Sequence, residues 1–149
     1  GQGEAVARSI LEMSNLEVPI IVVITGEGGS GGALAIAVGD RVLMLEHAYY
    51  SVITPEGCAS IIWKNVAEAP RAAEVLQLTA QHLKKLEVID EIIAEPLGGA
   101  HRRPEETAKA IRTALLENLQ PLLAKETPLL LKERYEKYRS IGVFAEPKD

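Results

Sequence analysis

A chain of 149 residues, 47% hydrophobic and 25% charged, is the size of one ordinary globular domain and can bury about two thirds of its unfolded surface. Sixteen basic against twenty-one acidic residues give a net charge of −5, which argues against broad nucleic-acid binding, and the single Cys58 excludes an internal disulfide and suits a reducing compartment. The longest apolar runs, Ile20–Ile24 and Leu129–Leu131, fall far short of the roughly 20 residues that cross a bilayer, so a soluble, cytoplasmic protein is expected.

The opening GQGEAVARSILEMSNLEVP carries neither a starting methionine nor a targeting segment and reads as a helix already under way, so a piece of a longer protein is expected. Val6, Ile10 and Met13 recur at i, i+4 and i+7 and predict an amphipathic helix over residues 4–15, closed before Pro19. Ile20 to Thr25 is short, β-branched and apolar throughout, the pattern of a strand buried on both faces. The glycines from Gly26 to Gly32 then break the strand into a loop. Ala33–Val38 is helix-compatible, with Gly39 as its C-terminal stop. Arg41–Leu45 and Ala48–Ile53 read as two strands separated only by a turn at Glu46 and His47, too short for a helical crossover. Thr54 as cap and Pro55 in the first turn start a helix carrying Ile61, Ile62 and Trp63.

Segments 70–77 and 79–86 read as short helices, and Val88–Ile93 as a late strand leading into EPLGGAHRRPEE. Pro104, with Glu105 and Glu106 behind it, starts a long helix that sets Ala108, Ile111, Leu115, Leu119 and Leu122 on one stripe and is bent or ended by Pro121. Thr127-Pro128 restarts a helix that runs to Gly142, and the tail VFAEPKD is expected to be loose. No internal repeat or low-complexity segment is visible.

The glycine stretch satisfies rival patterns. Gly26-Glu27-Gly28-Gly29-Ser30-Gly31 is G-x-G-x-x-G after a predicted strand, with Glu46 at a strand end further on, as a dinucleotide site requires; the immediate strand–strand succession speaks against that fold. Gly28-Gly29-Ser30-Gly31-Gly32 is also G-x-S-x-G, with Asp90 and His101 following in hydrolase order, although small residues fit almost any such motif. A phosphate-binding loop is excluded because Ala33 and Leu34 stand where Lys and Ser or Thr belong. The remaining reading uses backbone: glycines reach positive φ and bare their amides, and the start of a helix adds free N–H donors, together an oxyanion hole. The plainer reading is that the glycines only permit tight strand–helix packing. His47, His82 and His101 share no metal spacing with one another or with Cys58, which reads as a core thiol. Trp63 and the Tyr49-Tyr50 pair read as core or interface aromatics, and His101, Arg102 and Arg103 as a solvated loop or a contact for an anionic group.

GEGGSGGALAIAVGDRVLMLEHAYYSVITPEGCASIIWK and IDEIIAEPLGGAHR closely resemble the carboxyltransferase α-subunit family of bacterial acetyl-coenzyme A carboxylases, and the similarity continues over nearly the whole chain. The resemblance implies an α/β fold of the crotonase type, a spiral of ββα units present here as a partial domain. Residues 1–125 would be the C-terminal part of the carboxyltransferase domain, and 126–149 a C-terminal helix and tail. It implies transfer of a carboxyl group from carboxybiotin, held on a biotin carboxyl carrier protein, to acetyl-CoA, giving malonyl-CoA for fatty acid biosynthesis. The implied partners are a carboxyltransferase β subunit in an α2β2 assembly, the carrier and biotin carboxylase. Zinc is expected in the β subunit and no metal in this chain. On this resemblance the amides of Gly28, Gly29, Gly31 and Gly32 form the oxyanion hole, with Gly31 and Gly32 on the carboxybiotin side, and the biotin nitrogen serves as base. Related hydratases carry a catalytic glutamate where Leu34 stands, so hydration is not expected; Glu56, roughly where they carry a second acid, reads as a first-turn helix glutamate. A stand-alone crotonase-fold hydrolase or isomerase, and a non-catalytic assembly fragment, remain the alternatives.

Overall fold

The computed structural model describes residues 1–142; the tail expected to be loose, residues 143–149, lies outside them. Helix α1 (Gln2–Asn15) keeps Val6, Ile10 and Met13 half-buried on one side, as their spacing requires. Strands β1 (Ile21–Ile24), β3 (Arg41–Leu45) and β5 (Glu91–Ile93) form a parallel sheet in the order β1-β3-β5. The central place of β3 explains its unbroken apolar run: Leu43, Met44 and Leu45 are at most 1% exposed. Among the described residues β1 pairs with β3 alone, and only Ile24 of it is buried, so the strand buried on both faces is β3 and not the segment from Ile20 to Thr25.

The glycine stretch is not all loop. Glu27–Gly29 is strand β2, which pairs in parallel with β4 (Tyr49–Ser51), Gly28 opposite Tyr50. Helix α2 then begins at Ser30 and ends at Ile36, earlier at both ends than its apolar residues suggest. Gly39 is not its stop. Ala37 closes the helix, and Gly39 is required by space, since a Cβ there would lie 2.9 Å from Val22 and 3.1 Å from the carbonyls of Ile20 and Arg41. Helix α3 (Pro55–Ile62) starts as its sequence predicts, with the Gly57 amide donating to Thr54 Oγ1 at 3.1 Å. The order β1-β2-α2 is thus repeated by β3-β4-α3, each strand pairing with its counterpart.

A 3-10 turn (Val66–Glu68), α4 (Ala69–Leu76) and α5 (Ala80–Lys85) lead into β5, and a second 3-10 turn (Ala100–Arg102) into α6 (Pro104–Leu123). Pro121 sits in the last turn of α6, which ends two residues beyond it. The inward face of α6 holds most of the predicted stripe, with Leu122 buried and Ile111, Leu115 and Leu119 half-buried, but Ala108 is exposed and the face extends to buried Thr107 and Ala114. Polar residues face inward because each finds a partner. Thr107 Oγ1 donates to Arg103 O at 3.0 Å, and Asn118 Nδ2 to Glu91 Oε2 at 2.6 Å.

Helix α7 (Thr127–Ser140) returns across the far side, and its inner face carries polar residues beside the buried Leu130. Leu130, Arg134 and Tyr138 stand at i, i+4 and i+8. Arg134 is 2% exposed and grips Asp40 with two prongs, Nε to Oδ1 and Nη2 to Oδ2, both 2.9 Å. Its remaining hydrogens go to the carbonyls of Met13 (2.9 Å), Leu16 (2.8 Å) and Val18 (2.8 Å), which joins α7 to the end of α1 and the approach to β1. Asp40 also accepts from the amide of Ile20 at 2.7 Å.

Candidate functional site

The site is built where β2 passes into α2. Gly28 lies in β2 directly over a ring: a Cβ on it would meet Tyr50 Cδ2 at 3.0 Å and Ile24 Cγ2 at 3.2 Å, so only glycine lets this strand lie so low. Gly29 and Gly32 differ, because nothing lies within 4 Å of where their Cβ atoms would be. The space on the Cβ side of each is open. Gly31 is backed by Val6 of α1, 3.4 Å from its Cβ position. Gly29 precedes α2 in extended conformation (φ −130°, ψ 150°) and offers no side-chain acceptor to the first-turn amides.

The expected positive φ is absent from Gly28, Gly29, Gly31 and Gly32; it falls instead on Ser30, at 60°. These glycines serve by taking no space, and the one left-handed turn is made by the serine between them. A cleft of about 250 Å³ runs beneath, walled by Val22, Ile24, Ile36 and Tyr50 and edged by Gly26 and Gly28. Helix α2, Ser-Gly-Gly-Ala-Leu-Ala-Ile, contains no acid or base, and Leu34 is 37% exposed.

A second cleft, of about 790 Å³, shares Thr25 and Gly26 with the first and opens at the C-terminal ends of β1, β3 and β5, with His47, Glu95, Gly99 and His101 among its walls. Glu95 staples its rim. Its Oε1 accepts from the His47 amide (3.0 Å) and its Oε2 from the Ala100 amide (2.8 Å), while its own amide donates to Glu46 Oε2 (3.2 Å). Desolvation pushes the Glu95 carboxyl up, but the Ala100 and His47 amides and the nearby His47 and His101 outweigh it and hold its pKa below the usual glutamate value. Gly98 and Gly99 have φ of 93° and 91°, the left-handed backbone this rim turn demands.

The rival motifs come apart on this geometry. Asp90 sits before β5, accepting from the Val42 amide (2.6 Å) and paired with Lys137, whereas His101 lies beyond the other end of β5 in the larger cleft. With Ser30 they form no triad. Glu46 is committed to the Glu95 amide, and Gly28 and Gly29 belong to a strand, so the dinucleotide reading fails as well. Cys58 is buried against Ala59 and Ala72, Trp63 is covered by the Arg71 guanidinium 4.8 Å from its ring centre, and Glu56 lies exposed in the first turn of α3. His82 pairs with Thr79 at 3.0 Å, and among the described residues no three His, Cys, Asp or Glu side chains are placed to hold a metal ion. No helix there is long and apolar enough to cross a membrane. The structural contacts around the site that the sequence does not announce are those of Glu95, Asp40, Arg134 and Tyr138; the i, i+4, i+8 spacing of Leu130, Arg134 and Tyr138 is the one available signal.

A ββα unit repeated in backbone course, strand pairing with strand, defines a crotonase-fold protein, here as a partial domain. Solved structures agree: the chain superposes on a Pseudomonas malonate decarboxylase hetero-tetramer in complex with coenzyme A with a TM-score of 0.70 at 17% identity, covering 93% of this chain and 56% of that one. It superposes on the transcarboxylase 12S core with 0.59 at 22% identity, covering 81% and 24%. Residues 1–142 match the acetyl co-enzyme A carboxylase carboxyltransferase-like family, and the chain belongs to it. The acetyl-coenzyme A carboxylase carboxyl transferase subunit alpha of Geobacter metallireducens is 60% identical over 146 residues, 98% of this chain. The chain spans 46% of that relative's length.

Proposed function

We propose that this chain is the C-terminal half of a carboxyltransferase α subunit that passes the carboxyl group of carboxybiotin, carried on a carrier protein, to acetyl-CoA, forming malonyl-CoA for fatty acid biosynthesis in the cytoplasm. The partners on this reading are a β subunit in an α2β2 assembly, the biotin carboxyl carrier protein and biotin carboxylase. The observation that carries it is the open backbone at Gly29 and Gly32, with no atom within 4 Å of either Cβ position and no side chain capping α2.

The residues present fit a ureido group. The donors are neutral backbone N–H groups, suited to an oxygen that gains negative charge, and the adjoining walls from Val22, Ile24, Ile36 and Tyr50 suit the apolar face of a bicycle. Carboxybiotin, when bound, supplies the carboxyl group and, at its ureido nitrogen, the base that takes the acetyl proton. The amides of Gly29, Gly31 and Gly32 hold the oxygen of that group, with Gly31 and Gly32 nearest, while Gly28, expected among the donors, is engaged in the β2–β4 pairing; fixed donors of this kind are worth several kcal/mol, or about 10²–10³-fold in rate for one donor. Because α2 has no titratable side chain, it contributes no competing proton to the oxygen it holds. The same absence disfavours the hydrolase and isomerase alternatives.

The test is malonyl-CoA-dependent carboxylation of free biotin by the fragment alone, by the full-length α subunit alone, and by α with β. Turnover only with both subunits is expected, since charge develops on two substrates and the proposed oxyanion hole of this chain serves one of them. Equal turnover by the fragment alone would overturn the two-subunit reading.

A further inference from the structure

We infer that Tyr138 is a positioning residue for the glycine amides: from the opposite end of α2 it fixes how Gly31 and Gly32 present their N–H groups. Helix α2 has seven residues, about 10 Å of chain, too short to hold its own shape in water. Its place must come from what grips it. At its start there is no side-chain cap, and near its end Ile36 is 67% exposed. At its end the Tyr138 hydroxyl lies among three backbone groups: the Gly39 amide donates to it at 2.8 Å, and its own hydrogen faces the carbonyls of Ala37 (2.8 Å) and Gly39 (3.1 Å). Burial pushes this phenol up to about 12, against the pull of the Gly39 amide, so the hydrogen stays in place at any physiological pH.

One turn earlier on the same face of α7, Arg134 holds the carbonyls of Met13 and Leu16 at the end of α1. Helices α1 and α2 meet at Val6 and Gly31. A single face of α7 therefore anchors the far ends of both helices that converge on the amides. A tilt of α2 about its end moves Gly31 and Gly32 most, and displacements of about 1 Å at a reacting group can cost up to about 10²-fold in rate.

The activity part of this inference rests on the carboxyl-transfer reading; the structural part does not. The experiment compares Tyr138→Phe with Lys137→Met in the full-length α subunit assembled with β. Lys137 bonds the Asp90 carboxylate and the carbonyl of Asp40, beyond Gly39 and not on α2, so its loss serves as the control for weakened docking of α7. Tyr138→Phe is expected to lower kcat about tenfold with KM unchanged and to speed hydrogen exchange at the amides of residues 30–36. Lys137→Met should lower the melting temperature comparably yet leave kcat and that exchange as in the wild type. Equal kcat in the two variants, or unchanged exchange in Tyr138→Phe, would overturn the inference. If the wild-type assembly shows no transfer while Tyr138→Phe still loosens residues 30–36, the carboxyl-transfer reading fails and the positioning role stands.

Discussion

Asp40 and Arg134, ninety-four residues apart, meet as a two-pronged ion pair with both bonds at 2.9 Å and side chains only 4% and 1% exposed. A guanidinium so enclosed is tolerable only because its carboxylate partner and the surrounding carbonyls take up its hydrogens. Cutting either side strands the other in a dry interior. Arg134→Met is therefore expected to destabilise the fold by about 3–5 kcal/mol, and Arg134→Lys to recover only part of it, because one ammonium cannot reproduce the fork. Urea unfolding of the three proteins checks this; a loss below about 1 kcal/mol in Arg134→Met would show that the pair does not anchor α7.

Gly28 and Gly29 should respond differently to a single methyl. Gly28→Ala drives a Cβ to 3.0 Å from the Tyr50 ring and should cost about 1–3 kcal/mol of stability. Gly29→Ala meets nothing within 4 Å, so stability should stay within about 0.5 kcal/mol while transfer falls. Thermal melting and turnover of both variants separate packing from chemistry.

Ser30 holds the one positive φ of the stretch and no catalytic partner. Ser30→Ala should keep most activity, Ser30→Gly should relieve backbone strain, and a serine-directed phosphonate should leave the protein unlabelled. Stoichiometric labelling at Ser30 would restore the nucleophile reading.

Glu95 supplies the pH dependence. Because its folded pKa is lowered, its contribution to stability is full above the ordinary glutamate range of about 4.3 and is lost as pH falls through the folded value. Glu95→Gln should accordingly lower the urea midpoint at neutral pH, and the difference from wild type should shrink to nothing in strong acid. A difference that persists unchanged in acid would mean that the carboxylate charge is not what holds the rim.

Much of this architecture can be read in the chain, for reasons that differ by element. The central strand Arg41–Leu45 and the Thr54 cap of α3 appear where their residues place them, because a short apolar run and a capping residue are local signals. Strand β2 is hidden because Glu27-Gly28-Gly29 has no strand preference of its own; pairing with Tyr49–Ser51 creates it. The polar part of the inward face of α6 is hidden because counting apolar residues overlooks Thr107 and Asn118, whose hydrogen bonds make them inward residues. The glycines that bare the backbone are legible as a motif, whereas the staple at Glu95 and the clamp at Asp40 depend on partners about fifty and ninety-four residues away.

The central claim is that bared backbone at the start of α2, and no side chain, carries the transfer chemistry. Its most direct measurement is turnover of the full-length α subunit with Gly31→Val or Gly32→Val, assembled with β and checked for assembly by sedimentation. A loss of about 10²-fold or more in kcat is expected with the assembly intact. Near-normal turnover in both variants would contradict the claim.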